Sequence, residues 1–173
     1  IYVGNEDDNY YEFMASPLVM EERTQIVRGM INEIMQDPRR TDDNMIYIAW
    51  DEWNVWYRAR GGTGGSGYRA LEERYNLEDA LVVASFLNGF IRNADIVKMA
   101  NMAQLVNVIA PIFTSQDDMF LQTIYFPLQL FANHMHGTAL DVFVDCETYD
   151  TGIFNSGAGY SPTQQSNVPY LDV

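Results

Sequence analysis

Cysteine is nearly missing from this chain: Cys146 stands alone, and one thiol excludes an internal disulfide framework. Histidine is almost as scarce. His134 and His136 with Cys146 are too few and too loosely spaced for a closed zinc site, so packing or surface exposure accounts for all three. No metal and no organic cofactor is indicated. Basic residues are also sparse, 10 Lys and Arg against 24 Asp and Glu, for a formal charge of −14 and a pI near 4.2. Phosphate neutralisation needs clustered Lys and Arg, which argues against nucleic acid as a partner. The acidity reads as a soluble surface. No apolar run reaches the ~18–20 residues that span a bilayer, so no membrane partner is expected. The first residues lack the basic start and apolar middle of a secretory signal, and there is no initiator Met. The true N-terminus is therefore read as absent, and the compartment stays open between cytoplasmic and secreted.

What is present is an apolar, aromatic composition, 47 % hydrophobic and 13 % aromatic, typical of a globular chain. Its 173 residues suffice for one ordinary domain but fall short of a complete eight-fold barrel, which needs ~250. Residues 46–57 carry the most information. Ile46, Tyr47, Ile48, Ala49 and Trp50 read as a buried strand that stops at Asp51 and Glu52, with Trp53, Asn54, Trp56 and Tyr57 following. A parallel strand ending in a carboxylate beside flat aromatic rings is how barrel enzymes that cleave sugars present a catalytic acid. Glu52 is the first candidate. A local Asp-Glu pair is also compatible with a solvated strand end, and Trp53 and Trp56 with core packing.

Residues 1–3 read as the tail of a strand, cut short by Gly4-Asn5 and an acidic loop. Ser16-Pro17 marks a helix start, and Ile26, Val27, Met30, Ile31 and Ile34 recur at helical spacing until Pro38. The glycine-rich stretch 60–68 lacks a Gly-Lys-Ser/Thr ending and reads as a mobile loop, not a phosphate cradle. Asn76 with Asp79 opens a helix running to Ala94. Residues 96–110 are the third strand candidate, closed by Pro111, with small Ala100 and Ala103 suited to a crowded interior. Residues 122–134 read as a further helix, interrupted or delayed by Pro127. From Ala139 the pattern alternates at Leu140, Val142 and Val144, then turns to loop. The expected class is α/β. It comprises the C-terminal portion of a (β/α)8 TIM barrel over residues 1–137, running into the start of an all-β sandwich over 138–173.

Five ordered blocks sharpen this reading: Asp51-Glu52-Trp53-Asn54-Val55-Trp56-Tyr57, Tyr75-Asn76-Leu77-Glu78-Asp79-Ala80-Leu81, Asn93-Ala94-Asp95, Ala103-Gln104-Leu105-Val106-Asn107-Val108-Ile109-Ala110-Pro111 and Gln122-Thr123-Ile124-Tyr125. Together they resemble the α-L-arabinofuranosidases of glycoside hydrolase family 51. The resemblance implies a retaining glycosidase that releases terminal α-L-arabinofuranosyl residues in hemicellulose breakdown. It implies Glu52 as nucleophile, Tyr2 against that nucleophile, Gln104 contacting the arabinose, and Trp56 as an aromatic beside the substrate. Trp53 joins these as a substrate-binding candidate by residue type. Gly4-Asn5-Glu6 has the letters of the family's acid/base segment in the wrong place, so Glu6 is given no catalytic role. The acid/base Glu is then expected on a chain or segment carrying the missing N-terminal barrel half. This chain alone is expected to be inactive, and the complete enzyme a homo-oligomer. The competing readings are a related barrel glycosidase acting on β-glucan or xylan, and a non-catalytic carbohydrate-binding or assembly fragment.

Overall fold

The computed structural model describes residues 1–5, 7–57, 72–155 and 162–173. Glu6 and the glycine-rich stretch 60–68 lie outside the described residues. The frame is a parallel three-stranded sheet ordered β1 (Tyr2–Val3), β2 (Ile48–Val55), β3 (Val97–Met102). Helices α1 (Tyr10–Ala15) and α2 (Leu18–Met35) join β1 to β2, and α3 (Leu77–Arg92) joins β2 to β3. After β3 come an antiparallel hairpin, β4 (Ile112–Thr114) with β5 (Met119–Leu121), and helix α4 (Tyr125–His134). A second small pair, β6 (Thr148–Tyr149) with β7 (Val168–Pro169), closes the chain.

The start of α2 differs in detail from the sequence reading. Ser16 does not cap α2. It closes α1, its hydroxyl donating to the Phe13 carbonyl at 2.7 Å, and Pro17 leads into α2. α1 itself was not foreseen; Asn9 starts it by accepting from the Glu12 N–H at 3.4 Å. On α2 the buried residues are Val19, Met20, Thr24 and Ile31, while Ile26, Val27, Met30 and Ile34 are exposed. Of the apolar stripe seen in the sequence only Ile31 packs; the buried face instead includes Met20 and Thr24, which meet α3 at Gly89 and β2 at Trp50.

α3 follows the sequence closely. Asn76 accepts from the Asp79 N–H at 3.2 Å and Asp79 accepts from the Asn76 N–H at 2.7 Å, a reciprocal cap. Val82, Val83, Phe86 and Phe90 enter the main core with Val3, Trp53 and Val55. Gly89 permits the close approach of α2, since a Cβ there would fall 2.7 Å from Met20 Cε.

The tail departs from expectation. Leu140, Val142 and Phe143 are exposed and belong to no strand among the described residues. Alternation needs a neighbouring backbone to become a ladder, and no described strand lies beside that segment. Farther on, Phe154 and Val168 pack on Ala15 and Leu18, and Arg92 pairs with Asp172 at 2.6 Å. The β6–β7 region is thereby docked on α1, α2 and α3.

Candidate active site

Strand β2 does not stop at the two acids; it runs through them to Val55. It continues because β1 pairs with its far end, Tyr2 with Asn54 and Val3 with Val55. On the other side, Trp50 pairs with Ala100 and Trp53 with Met102, so Asp51 and Glu52 together oppose Asn101 alone. This is a β-bulge, and it changes which face later residues take. Before it, Ile48 and Trp50 face the helices, the Trp50 indole donating to Thr24 Oγ1 at 3.1 Å. After it, Trp53 and Val55 face them. Glu52 and Asn54 are left to the opposite side.

On that side the Tyr2 hydroxyl donates to Glu52 Oε1. The Tyr2 ring meets Trp56 edge-on, with centroids 5.1 Å apart at 72°. Three expected site residues are thus brought together. Gln104 follows β3 by two residues and is exposed; Met102 in register with Trp53 sets it at the level of the Glu52 end of β2. Trp53 is different. It is 1 % exposed and lies against Phe86 and Phe90 at 5.4 and 5.1 Å. A ring enclosed in this way offers no face to a sugar, so its expected substrate-binding role is corrected to a core role.

Several residues that frame the site were not singled out as such. Buried Asn54 donates to the carbonyls of Ala103 and Ile109, at 2.7 and 2.6 Å. Tyr75 donates its hydroxyl to the Val55 carbonyl at 2.8 Å, and burial raises its pKa above the ordinary phenol value, which keeps that donor protonated. Gln122 accepts from the Tyr75 N–H at 3.1 Å and donates to Ala110 and Glu73 carbonyls at 2.7 and 3.1 Å. Tyr57 donates to the buried Asp79 carboxylate. The signal was available, since all of these but Glu73 lie in the ordered blocks quoted above.

Two cavities, of about 260 and 810 Å³, lie elsewhere. The first sits between α1, α3 and β7, the second between α3 and the segment after α4, and Glu52 lines neither. Glu52 occupies an open face of the sheet, exposed to solvent.

Residues 51–169 match the family model described as the α-L-arabinofuranosidase C-terminal domain. A probable α-L-arabinofuranosidase C of Aspergillus niger is 37 % identical over 151 residues, which is 87 % of this chain and 29 % of the relative. An intracellular exo-α-(1→5)-L-arabinofuranosidase of Halalkalibacterium halodurans is 34 % identical over 177 residues, 99 % of this chain and 33 % of that protein. Among solved structures, the arabinose complex of the Thermotoga maritima α-L-arabinofuranosidase superposes with a TM-score of 0.77 at 32 % identity, over 98 % of this chain and 32 % of that one. The thermostable family 51 enzyme of Thermotoga petrophila gives 0.76 at 34 % identity with the same coverage. The chain spans about a third of the length of the relatives it matches. Its α/β frame is part of a barrel enzyme, with a β-sandwich-like C-terminal region. Sequence blocks, family model and superposition agree, and the chain belongs to the α-L-arabinofuranosidases of glycoside hydrolase family 51.

Proposed function

We propose that this chain forms part of a retaining glycosidase that removes terminal α-L-arabinofuranosyl residues from arabinose-containing polysaccharides and oligosaccharides. Glu52 is the nucleophile in this reading, and residues 1–137 belong to the catalytic barrel, with 138–173 opening the β-sandwich. The observation that carries the proposal is the Tyr2 hydroxyl on the Glu52 carboxylate, with Trp56 beside them. Support also comes from the relatives' names and from the arabinose held by the Thermotoga maritima enzyme.

The chemistry proceeds in two displacements. A Glu52 oxygen bonds to the anomeric carbon as the glycosidic bond breaks, and the leaving oxygen takes a proton from a second carboxyl group. That group, now a base, removes a proton from water. The water oxygen then attacks the same carbon and releases Glu52, restoring the original configuration. The two carboxyls must stand about 5–5.5 Å apart for this. The acid/base is assigned to polypeptide beyond these 173 residues. Tyr2 holds the nucleophile's orientation. Gln104 carries both amide donor and acceptor for sugar hydroxyls, and its bonds accelerate the reaction insofar as they tighten in the oxocarbenium-like transition state.

Glu52→Ala in the complete enzyme should lower turnover by about three orders of magnitude or more. Azide, entering from the vacated side, should partly restore cleavage and leave a glycosyl azide of inverted configuration. Near-full activity of the variant refutes the assignment. Cleavage of nitrophenyl arabinofuranoside in preference to the glucoside and xyloside separates this substrate class from β-glucan or xylan.

A further inference from the structure

Asn54 stands two residues past Glu52 on β2 and is fully buried. Its amide is well used. Oδ1 accepts from the Val55 N–H at 2.8 Å, while Nδ2 donates to Ala103 O at 2.7 Å and Ile109 O at 2.6 Å. Two carbonyls can be satisfied only by the NH2 side, so chemistry determines the amide's orientation. The two carbonyls bracket the segment that carries Gln104. One side chain of the candidate nucleophile's strand therefore staples that segment near both ends.

The staple holds a shape the chain would not choose. Asn107 and Ile109 have φ of 63° and 40°, a left-handed conformation costly above all for a β-branched residue. Strain of this kind persists only where surrounding bonds over-determine it. Asn54 supplies two such bonds, and Asn107 adds another by accepting from the Thr114 N–H at 2.7 Å. Asn54 itself spends both its donors on backbone and keeps none for a sugar.

We propose that Asn54 is a positioning residue, which sets Gln104 relative to Glu52 by fixing the 103–109 segment to the nucleophile strand. The proposal rests on the reading of Glu52 as nucleophile and Gln104 as sugar contact. It is tested in the complete enzyme by measuring kcat, KM and Tm for Asn54→Ala, Gln104→Ala and the double variant on nitrophenyl arabinofuranoside. Each single variant should lower kcat/KM by about ten- to a hundredfold, the scale of one lost hydrogen bond in a buried site. Both should divide the loss between kcat and KM in the same ratio. The double variant should lose little more than the worse single variant, because Asn54 acts through Gln104. Asn54→Ser, which retains one donor, should recover part of the loss.

Losses that multiply, a lowered Tm with unchanged kcat/KM, or an innocuous Gln104→Ala each overturn the positioning role. Where Asn54→Ala does not fold, Asn54→Ser takes its place in the cycle; failure of both to fold makes Asn54 a fold residue only. Glu52→Ala run alongside separates the two levels. An active Glu52→Ala enzyme sinks the functional reading, whereas an inactive one with multiplying Asn54 and Gln104 losses sinks only the positioning inference.

Discussion

Replacing Trp53 by Ala in the complete enzyme should destabilise it without a specific effect on sugar binding. Trp53 is 1 % exposed, with Phe86 and Phe90 rings at 5.4 and 5.1 Å. Truncating a buried aromatic of this kind costs about 3–5 kcal/mol through lost transfer energy and the cavity left behind. Each ring contact contributes about 0.5–1.5 kcal/mol beyond area, so the upper half of that range is expected. Trp53→Phe should be far milder. The smaller ring keeps contact with both phenylalanines, and it removes an indole N–H that has no hydrogen-bond partner among the described residues. An unpaired buried donor costs about 1–3 kcal/mol, which offsets most of the lost area and leaves a net change within about 1 kcal/mol.

The assay is equilibrium urea denaturation of wild type, Trp53→Ala, Trp53→Phe and Trp56→Ala, with kcat and KM on the same preparations. Trp56, half-buried and edge-on to Tyr2, should show the converse: a small stability change and a KM raised about tenfold. If Trp53→Ala unfolds within about 0.5 kcal/mol of wild type while its KM rises, the ring is a sugar platform and its placement against α3 is wrong.

Two further outcomes follow from the frame around the site. Tyr57→Phe removes a donor from the fully buried Asp79 carboxylate, which also accepts from the Asn76 N–H at 2.7 Å. A loss of about 2–3 kcal/mol is expected in urea denaturation, and a loss under about 0.5 kcal/mol would mean that water replaces the hydroxyl. Asp95 is hydrogen-bonded to Arg28, chiefly on account of which its pKa falls from 3.8 to about 2. A depressed folded-state pKa contributes stability that is present above about pH 4 and is lost as pH falls toward 2. The Asp95 side chain is 64 % exposed, so the contribution should stay under about 1 kcal/mol. Asp95→Asn should be less stable than wild type at pH 6 and converge with it near pH 2, as followed by urea midpoints; a pH-independent gap refutes the link.

Much of the fold could be read from residues because α3 states its own limits. Asn76 and Asp79 form the cap in both sequence and structure, and the apolar positions after them enter the core. The extent of β2 was not legible, since an acid pair inside a strand looks like its end until a partner such as β1 is placed beside it. The bulge was equally silent: nothing in Trp50-Asp51-Glu52-Trp53 shows that two residues will oppose one. Trp53 was offered on residue type, which does not show its enclosure by Phe86 and Phe90. The β4–β5 hairpin escaped because its strands are three residues long and its cohesion is a stacked Phe113–Phe120 pair at 5.2 Å, invisible without tertiary contact. Of the candidate site, Tyr2 lies on Glu52 and Trp56 lies against Tyr2, residues chosen on the strength of the family blocks rather than of local pattern.

Why those blocks are specific becomes clear from what their polar members touch. Asn54 of the first block bonds to Ala103 and Ile109 of the fourth; Tyr75 of the second bonds to Val55 of the first; Gln122 of the fifth bonds to Tyr75 and Ala110. Each is a buried amide or phenol whose substitution would strand a partner, so identity and position are demanded together. Glu52, like Asp51 before it, stands outside this buried set. It is exposed, bonded through Tyr2, and carried on a strand whose next three residues, Trp53, Asn54 and Val55, are buried. A carboxylate that had only to be soluble needs no such frame. On the proposed reading Glu52 must meet a single carbon atom from a single direction, and the cross-block bonds would supply the rigidity for that aim.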